Sequence, residues 1–289
     1  MRRPYDLSTA AHDVAHGYQQ PRRSVLLCTM RRCGSTLLGE AMLRAGLGCP
    51  LEYLHAGWRP DFETRWSARD LRGYAQALYR YRTAADGTLG VKLFWPDVLQ
   101  TCQRWNPDAA DRYAANLSGC APAHAARVYG DVGELFADLF PNATVVFLWR
   151  RDVLRQAVSE VVAQQSGRWR AVRGVDDEHT ADAVYDHAGI ERMLRQFTYE
   201  LRQWRACLDH LRLPLVEVVY EDLARDYAGT LRRGLRTLGG GAWDGEVPPP
   251  RLRRQADGRS ERFLLRYLRE RDAGPGQAAP ARRAPVAGR

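Results

Sequence analysis

The segment CTMRRCGSTLL, from Cys28 to Leu38, combines residue types that together could bind an anion. An apolar run precedes it and a helical pattern follows it, so we expect a strand that leads through a short turn into a helix. The first turn of such a helix offers unpaired backbone N–H groups and the positive end of the helix dipole. Ser35 and Thr36 would add hydroxyl donors, and Arg32 would add a fixed charge. Gly34 would let the backbone approach a ligand closely, so the segment predicts a site for a phosphate-like anion.

The same segment departs from the loop with which ATP-binding proteins hold nucleotide and magnesium. That loop has the pattern GxxxxGK[ST], in which a lysine stands before the hydroxyl residue. Here the first glycine is missing, Cys33 precedes Gly34, and no lysine follows. Lys92 is the single lysine among the 43 basic residues of the chain. The arrangement that holds magnesium is therefore weak, and a purely structural turn is the alternative interpretation.

A second basic segment follows another apolar run. The run Thr144–Trp149 leads into RRDVLRQAVS, residues 150–159. Ligands of parallel sheets bind at the carboxyl ends of the strands, where Arg150 and Arg151 are expected. Arginine can form two parallel hydrogen bonds to a phosphate, and Ser159 lies about two helical turns further on. We expect a second phosphate here, and a basic loop before a capped helix is the alternative.

The order of the elements that must position these residues predicts an α/β fold. Apolar runs predict strands at 24–29, 88–95, 144–149 and 215–220, and helical patterns cover 35–47, 152–164, 190–211 and 259–271. Strands that alternate with helices form a parallel sheet covered by helices on both faces. We expect a single domain over residues 21–272, a flexible N-terminus over 1–20 and a disordered tail, rich in Ala, Pro and Arg, over 273–289.

Composition and charge narrow the class of protein. The net charge of +9 fits either an arginine-rich surface or a polyanionic ligand. The basic residues are spread along the chain and no DNA- or RNA-binding signature is present, so we expect no nucleic-acid partner. We expect neither a signal peptide nor a membrane span. The six cysteines show no CxxC pair and no metal-ligand spacing, which indicates reduced thiols, a cytoplasmic protein and no metal. A homodimer stays open.

Seven segments occur in the order RRCGSTLL, CPLEYLH, GVKLFW, RRDVLRQAVS, QQSGRW, VVYEDL and PPPRLRRQADGRSERF. In this ordered set, the chain from Ser24 to about Glu270 resembles the bacterial trehalose 2-sulfotransferase type of carbohydrate sulfotransferase. The resemblance implies the fold of sulfotransferases that use 3′-phosphoadenosine 5′-phosphosulfate (PAPS), with a P-loop-like central parallel sheet flanked by helices. It also implies PAPS as donor, 3′-phosphoadenosine 5′-phosphate (PAP) as product, and no metal.

The resemblance also implies how the donor is bound. Its 5′-phosphosulfate would lie on the first anion segment and its 3′-phosphate on the second, with help from the late basic segment. The residues implied for the donor are Arg32, Cys33, Gly34, Ser35, Thr36, Leu37, Arg150, Ser159, Arg254 and Ser260. Sulfuryl transfer leaves less charge to neutralise than ATP chemistry does, so backbone amides and arginine can suffice without the lysine of the ATP-binding loop.

Attack by a hydroxyl group on sulfur requires a proton acceptor. Glu52 matches the base proposed for the family, with Arg32 and Lys92 as further catalytic residues; an exposed loop carboxylate is the other interpretation of Glu52. His55 is the rival base. Lys92 is expected beside the transferred sulfo group or an acceptor oxygen, because a lysine is unusual in an apolar strand.

The acceptor is the least defined part of the prediction. The side chains expected to contact it are Trp58, Trp95, Trp169 and His55, with Trp66 a further aromatic candidate. A tryptophan is more often a core residue, so each assignment competes with simple burial. We expect a hydroxyl group of a carbohydrate, a glycolipid or a natural product. The alternatives are a P-loop nucleotide kinase or NTPase, and a nucleotide-binding protein without turnover.

Overall fold

The computed structural model describes residues 6–14, 17, 19–109, 111, 113, 122–172, 182–238, 245–247, 249–252 and 258–273. Within them, helices and strands alternate through most of the chain. Their order is β1 Arg23–Thr29, α1 Ser35–Arg44, α2 Arg59–Arg65, α3 Leu71–Arg82, β2 Thr88–Phe94, α4 Trp95–Trp105, α5 Pro122–Leu139, β3 Ala143–Trp149, α6 Val153–Ser166, α7 His187–Leu211, β4 Leu215–Val219, α8 Tyr220–Arg225, α9 Tyr227–Leu238 and α10 Gly258–Asp272. None of these described helices is both long and apolar enough to cross a membrane.

The four predicted strands form one parallel sheet in the order β2-β1-β3-β4. Leu27 of β1 lies opposite Lys92 of β2 on one side and Val146 of β3 on the other. β1 and β2 are almost completely buried, as expected for strands with neighbours on both faces. Helices flank the sheet, so the α/β prediction is confirmed.

Two strands are one residue shorter than predicted. Trp95 and Tyr220 are the first residues of α4 and α8, not the last residues of β2 and β4. Pro96 occupies the first turn of α4, where its missing N–H group has no intrahelical partner to lose. At both places the strand therefore continues directly into a helix, so the carboxyl ends of β2 and β4 lie at the N-termini of α4 and α8.

Helix α7 fixes the position of the strand end that precedes the first anion segment. It begins where Asp186 accepts a hydrogen bond from the backbone N–H of Gly189, three residues before the predicted start at Ile190. On its buried face, the indole nitrogen of Trp204 donates a hydrogen bond of 3.0 Å to the carbonyl oxygen of Thr29. This bond ties the longest helix of the described chain to the end of β1.

The N-terminal segment is packed, not free, over the part that the structure describes. Arg82 of α3 is 2% exposed and donates hydrogen bonds to the carbonyl oxygens of Leu7 and Thr9. It also forms an ion pair of 2.7 Å with Asp13. Residues 6–14 are therefore packed against α3, because a buried guanidinium group needs these partners, and the flexibility expected over 1–20 stays a prediction. The predicted disordered tail lies outside the described residues, apart from Ala273.

A close approach of two glycines positions the loop that follows α1. Gly48 has a φ of +76°, and a Cβ atom there would lie 2.2 Å from the backbone nitrogen of Gly90 on β2. A Cβ atom on Gly90 would in turn lie 2.7 Å from the carbonyl oxygen of Leu47. The loop can approach the strand this closely only because both positions are glycine. The loop then continues along β2 towards Glu52.

We expect Gly48→Ala to lower the free energy of unfolding by about 3 kcal/mol or more, because left-handed strain and overpacking against backbone add. Gly46→Ala is the matched control, since Gly46 has a φ of +77° but nothing within 4 Å of a Cβ atom. The control should cost only the left-handed strain, about 1–2 kcal/mol. Chemical denaturation measures both values, and equal losses would contradict the close contact.

Candidate active site

The turn between β1 and α1 forms an anion site of backbone groups. Gly34, the residue before α1, has a φ of 80°, and a Cβ atom there would lie 2.9 Å from the ring of Tyr220. No side chain caps the helix at Gly34, so its first N–H groups are available to a ligand. The sequence needs glycine here both for the left-handed turn and for the contact with Tyr220.

Arg32 is held over this turn by two described contacts. Its Nε atom donates a hydrogen bond of 3.0 Å to the hydroxyl group of Ser159, and its Nη1 atom donates one of 2.7 Å to the carbonyl oxygen of Trp169. The backbone of Arg32 is itself left-handed, with a φ of 62°. Such a conformation is uncommon outside glycine and often marks a functional turn.

A second guanidinium group joins the first from the end of β3. Arg150 lies over the ring of Tyr220, 4.7 Å from its centroid, and donates a long hydrogen bond of 3.4 Å to the carbonyl oxygen of Arg32. Glu221 is 3.7 Å from its Nε atom. Burial lowers the pKa of Arg32, Glu160 opposes that effect, and Arg150 lowers the pKa further. A bound anion would offset both the burial and the repulsion between the two cations.

These groups surround a cavity of about 290 Å³ at the carboxyl ends of β1, β3 and β4. Of the residues predicted to bind a ligand, those that line it are Arg32, Gly34, Ser35, Thr36, Leu37, Arg150, Ser159, Trp169 and Ser260. The cavity therefore brings together both predicted anion segments and the late basic helix α10. Trp169, which was expected to contact the acceptor, lies in the same cavity and is 44% exposed.

Cys33 and Arg151, two residues of the predicted anion segments, do not line this cavity. Cys33 is fully buried, and burial raises the pKa of its thiol to about 12, so only its backbone could meet a ligand. Arg151, the alternative to Arg150, points to Asp222 in an exposed ion pair of 2.7 Å. Arg254 lies outside the described residues.

Glu52 and Lys92 form an ion pair outside the cavity lining. Leu51 bridges to Val91, and the backbone N–H of Lys92 donates to the carbonyl oxygen of Leu51, so Glu52 follows beside β2. Lys92 Nζ lies 3.1 Å from Glu52 Oε1, and the lysine side chain is only 4% exposed. Burial raises the pKa of Glu52, but the charge and hydrogen bond of Lys92 and the charges of His55 and Arg170 together outweigh it, so the pKa lies below its usual value.

The remaining predicted acceptor residues are divided between core and surface. Trp95 is fully buried and packs edge-on against Trp204, so its side chain lies in the core behind β2, and its expected contact with the acceptor stays a prediction. Trp66 is buried in an aromatic cluster with Phe62. Trp58 and His55 are partly exposed near Glu52 but do not line the cavity.

The sequence interpretation missed several residues that line the cavity. They are Arg155, Val158, Arg170, Ala171, Tyr220, Leu223, Ala224, Tyr227, Pro250, Leu252 and Leu264. Tyr220 directly follows β4. The expectation that ligands bind at the carboxyl ends of parallel strands, which selected Arg150, could therefore also have selected Tyr220. Arg155 stands four residues before Ser159 and shares its helix face. Arg170 carried no signal of its own, although its charge also acts on Glu52 from the cavity.

Comparison with known proteins agrees with this geometry. The sequence profile of the Stf0 sulphotransferase family matches residues 24–270. A trehalose 2-sulfotransferase of Mycolicibacterium smegmatis is 27% identical over 274 residues, which cover 85% of this chain and 94% of the relative. A trehalose 2-sulfotransferase of Mycobacterium tuberculosis (strain Erdman) is 26% identical over 260 residues, or 86% of this chain and 95% of the relative. Because the family profile spans nearly the whole folded part, from β1 to α10, the chain belongs to the Stf0 sulphotransferase family and is a sulfotransferase.

Proposed function

We propose that this enzyme transfers the sulfuryl group of PAPS to a hydroxyl group of a carbohydrate. The observation that carries the proposal is the pairing of Arg32 and Arg150 beside the free N-terminus of α1, in a cavity of about 290 Å³. Two guanidinium groups and a helix N-terminus suit a ligand with more than one anionic group. A sulfotransferase needs such a donor, and PAPS carries phosphate at both ends of its ribose.

The two anion subsites divide the donor between them. The N-terminal turn of α1, with Ser35 and Thr36, would bind the 5′-phosphosulfate together with Arg32. Arg150, Ser159 and Ser260 would bind the 3′-phosphate from β3, α6 and α10. The donor supplies an activated sulfuryl group, and the protein supplies charge and orientation without a metal. Because Trp169 lines the same cavity, it suits the adenine base better than the acceptor that it was predicted to contact.

Glu52 is the base that we propose for the acceptor hydroxyl group. Its low pKa keeps the carboxylate ionised at neutral pH, ready to accept a proton as the hydroxyl oxygen bonds to sulfur. Lys92 holds one carboxylate oxygen through Nζ, which leaves the other for the acceptor. The contact also revises the expected role of Lys92, since its described partner is the base. His55 lies three residues away and stays the rival base.

A carbohydrate acceptor is supported by the two mycobacterial relatives, both of which are trehalose 2-sulfotransferases. The direct test is transfer of radiolabelled sulfate from PAPS to a panel of trehalose, other disaccharides, monosaccharides and simple alcohols. We expect sulfated sugar and PAP in equal amounts. In parallel, PAP should raise the melting temperature and Mg-ATP should not. Stabilisation by Mg-ATP alone would favour a nucleotide kinase or NTPase, and PAP binding without transfer to any acceptor would favour a nucleotide-binding protein.

We expect Arg150→Ala to weaken PAP binding selectively. Loss of one charge-assisted hydrogen bond costs about 1.5–3 kcal/mol, or roughly 10- to 150-fold in affinity. Adenosine 5′-phosphosulfate lacks the 3′-phosphate and should bind almost as before. Titration calorimetry measures both ligands. Arg151→Ala is the matched control, because its neighbouring guanidinium pairs with Asp222 outside the cavity, and it should leave both affinities unchanged. Equal weakening of both ligands by Arg150→Ala would place that side chain elsewhere on the donor.

We expect Glu52→Gln to reduce turnover by about 10²–10⁴-fold, which is typical for the loss of a general base. PAP affinity should change little, since Glu52 does not line the donor cavity. Single-turnover kinetics and calorimetry separate the two effects. If the variant retains more than about a tenth of the wild-type rate, Glu52 is not the base, and His55→Gln becomes the next variant to assay.

Lys92 should control the pH profile through Glu52. In the wild type, kcat/KM should fall only as the pH drops through the lowered pKa of Glu52. In Lys92→Met, burial is no longer offset by the ion pair, so the pKa of Glu52 rises and the acid limb moves to higher pH. Lys92→Arg keeps the charge and should keep the acid limb, while its wider, forked guanidinium group lowers turnover about tenfold or more.

Both lysine variants must first show a cooperative melting transition, because Lys92 is buried. An acid limb that stays in place in a folded Lys92→Met enzyme would show that Glu52 is not the titrating base. A Lys92→Arg enzyme with the wild-type rate would show that the position requires only positive charge.

A further inference from the structure

Asp97 lies at the carboxyl edge of the sheet, on the opposite side of the anion turn from the cavity. It belongs to the first turn of α4, five residues after Lys92, where β2 passes directly into helix. Its carboxyl group interacts electrostatically with Glu52, with Arg31 of the anion turn and with Arg59 of α2. Glu200 of α7 is a further carboxyl group that responds to its charge. Asp97 therefore lies close enough to the proposed base for their charges to interact.

The carboxyl group of Asp97 has no hydrogen bond or ion pair with any described residue, although only 7% of the residue is exposed. The one described bond of the residue uses its backbone carbonyl oxygen, which accepts from the hydroxyl group of Thr101. Because its carboxyl oxygens have no described hydrogen-bond partner and are not fully enclosed, a ligand can reach them. Arg59, whose charge acts on Asp97, has a buried Nη1 atom without a hydrogen-bond partner among the described residues.

The surroundings make Asp97 an unusual carboxyl group. Burial raises its pKa to about 7, with a further increase from the charge of Glu52 and opposing effects of Arg31 and Arg59. Near neutral pH a substantial fraction is protonated, and a protonated carboxyl group both donates and accepts hydrogen bonds. Lys92 meanwhile keeps Glu52 ionised. Two neighbouring carboxyl groups with pKa values shifted in opposite directions are typical of sites where they have different tasks.

We propose that Asp97 binds the acceptor, through a hydrogen bond to a hydroxyl group other than the one that is sulfated. This inference rests on the proposed function and specifies its acceptor as a polyhydroxylated compound, not a simple alcohol. A hydroxyl group both donates and accepts hydrogen bonds, which matches a carboxyl group that can do the same and has no partner among the described residues. Glu52 would receive the proton of the reacting hydroxyl group, and Asp97 would orient the molecule that carries it.

A cycle of protein and acceptor changes tests this contact. Wild type, Asp97→Ala and Asp97→Asn are assayed with the sugar of highest turnover in the acceptor panel, and with analogues of that sugar that each lack one hydroxyl group. Asp97→Ala should lower kcat/KM for the full sugar by about tenfold, mainly through KM. In the wild type, one of the analogues should show a lower kcat/KM than the full sugar because it lacks the hydroxyl group that Asp97 binds. In Asp97→Ala this analogue and the full sugar should have similar kcat/KM values, so the effects of the mutation and of the missing hydroxyl group do not add. Asp97→Asn keeps a polar group and should lose less.

Glu200→Gln is the matched control. Glu200 is also a buried carboxyl group whose pKa is raised to about 7, by burial first, but its Oε1 atom accepts a hydrogen bond from Gln196. This variant should lower stability without changing acceptor discrimination. PAP affinity, measured by calorimetry, should be the same in all variants. Additive losses for every analogue, in variants that fold and bind PAP, would overturn the role of Asp97. Absence of transfer by the wild type would overturn the proposed function itself.

Discussion

The packing of Gly34 against the ring of Tyr220 is the contact on which the site depends. It joins the end of β1 to the end of β4, two strands that are separated by β3 in the sheet. Arg150, at the end of β3, lies on the same ring and reaches the carbonyl oxygen of Arg32. A side chain at position 34 would separate the three strand ends. The left-handed conformation of Gly34 thus allows the Tyr220 ring to pack against the turn, which places Arg32 and Arg150 together at the N-terminus of α1.

The anion turn separates two chemically different halves of the carboxyl edge. Over β1, β3 and β4 lies a cavity lined by Arg32, Arg150, Arg155 and Arg170. Over β2 lies the carboxylate side, with Glu52 paired to Lys92 and with Asp97 beyond it. Opposite charge on the two sides suits a polyanionic donor on one and a hydroxyl compound with a base on the other. The charge of Arg170, which lines this cavity, acts on Glu52, so the two halves meet there.

Local patterns in the sequence predicted the strands and the anion-binding part of the cavity, because strand ends and helix starts can be recognised from a few neighbouring residues. Contacts between residues that are far apart in the sequence leave no local pattern of this kind. The ion pair of Glu52 with Lys92 depends on the pairing of Leu51 with β2, which no local pattern indicates. The role of Trp95 could not be decided from the sequence, because an aromatic residue after a strand is equally consistent with a ligand contact and with the core. Asp97 was overlooked because its burial follows only from the packing around α4.

A crystal structure of the enzyme with PAP tests the account most directly, since every proposed role depends on where the two phosphates lie. We predict the 3′-phosphate at hydrogen-bond distance, about 3 Å, from Arg150 and Ser159. The 5′-phosphate should contact the backbone N–H groups at the start of α1 and point towards Glu52. PAP bound in the reverse orientation, with its 5′-phosphate on Arg150, or bound outside this cavity, would contradict the account.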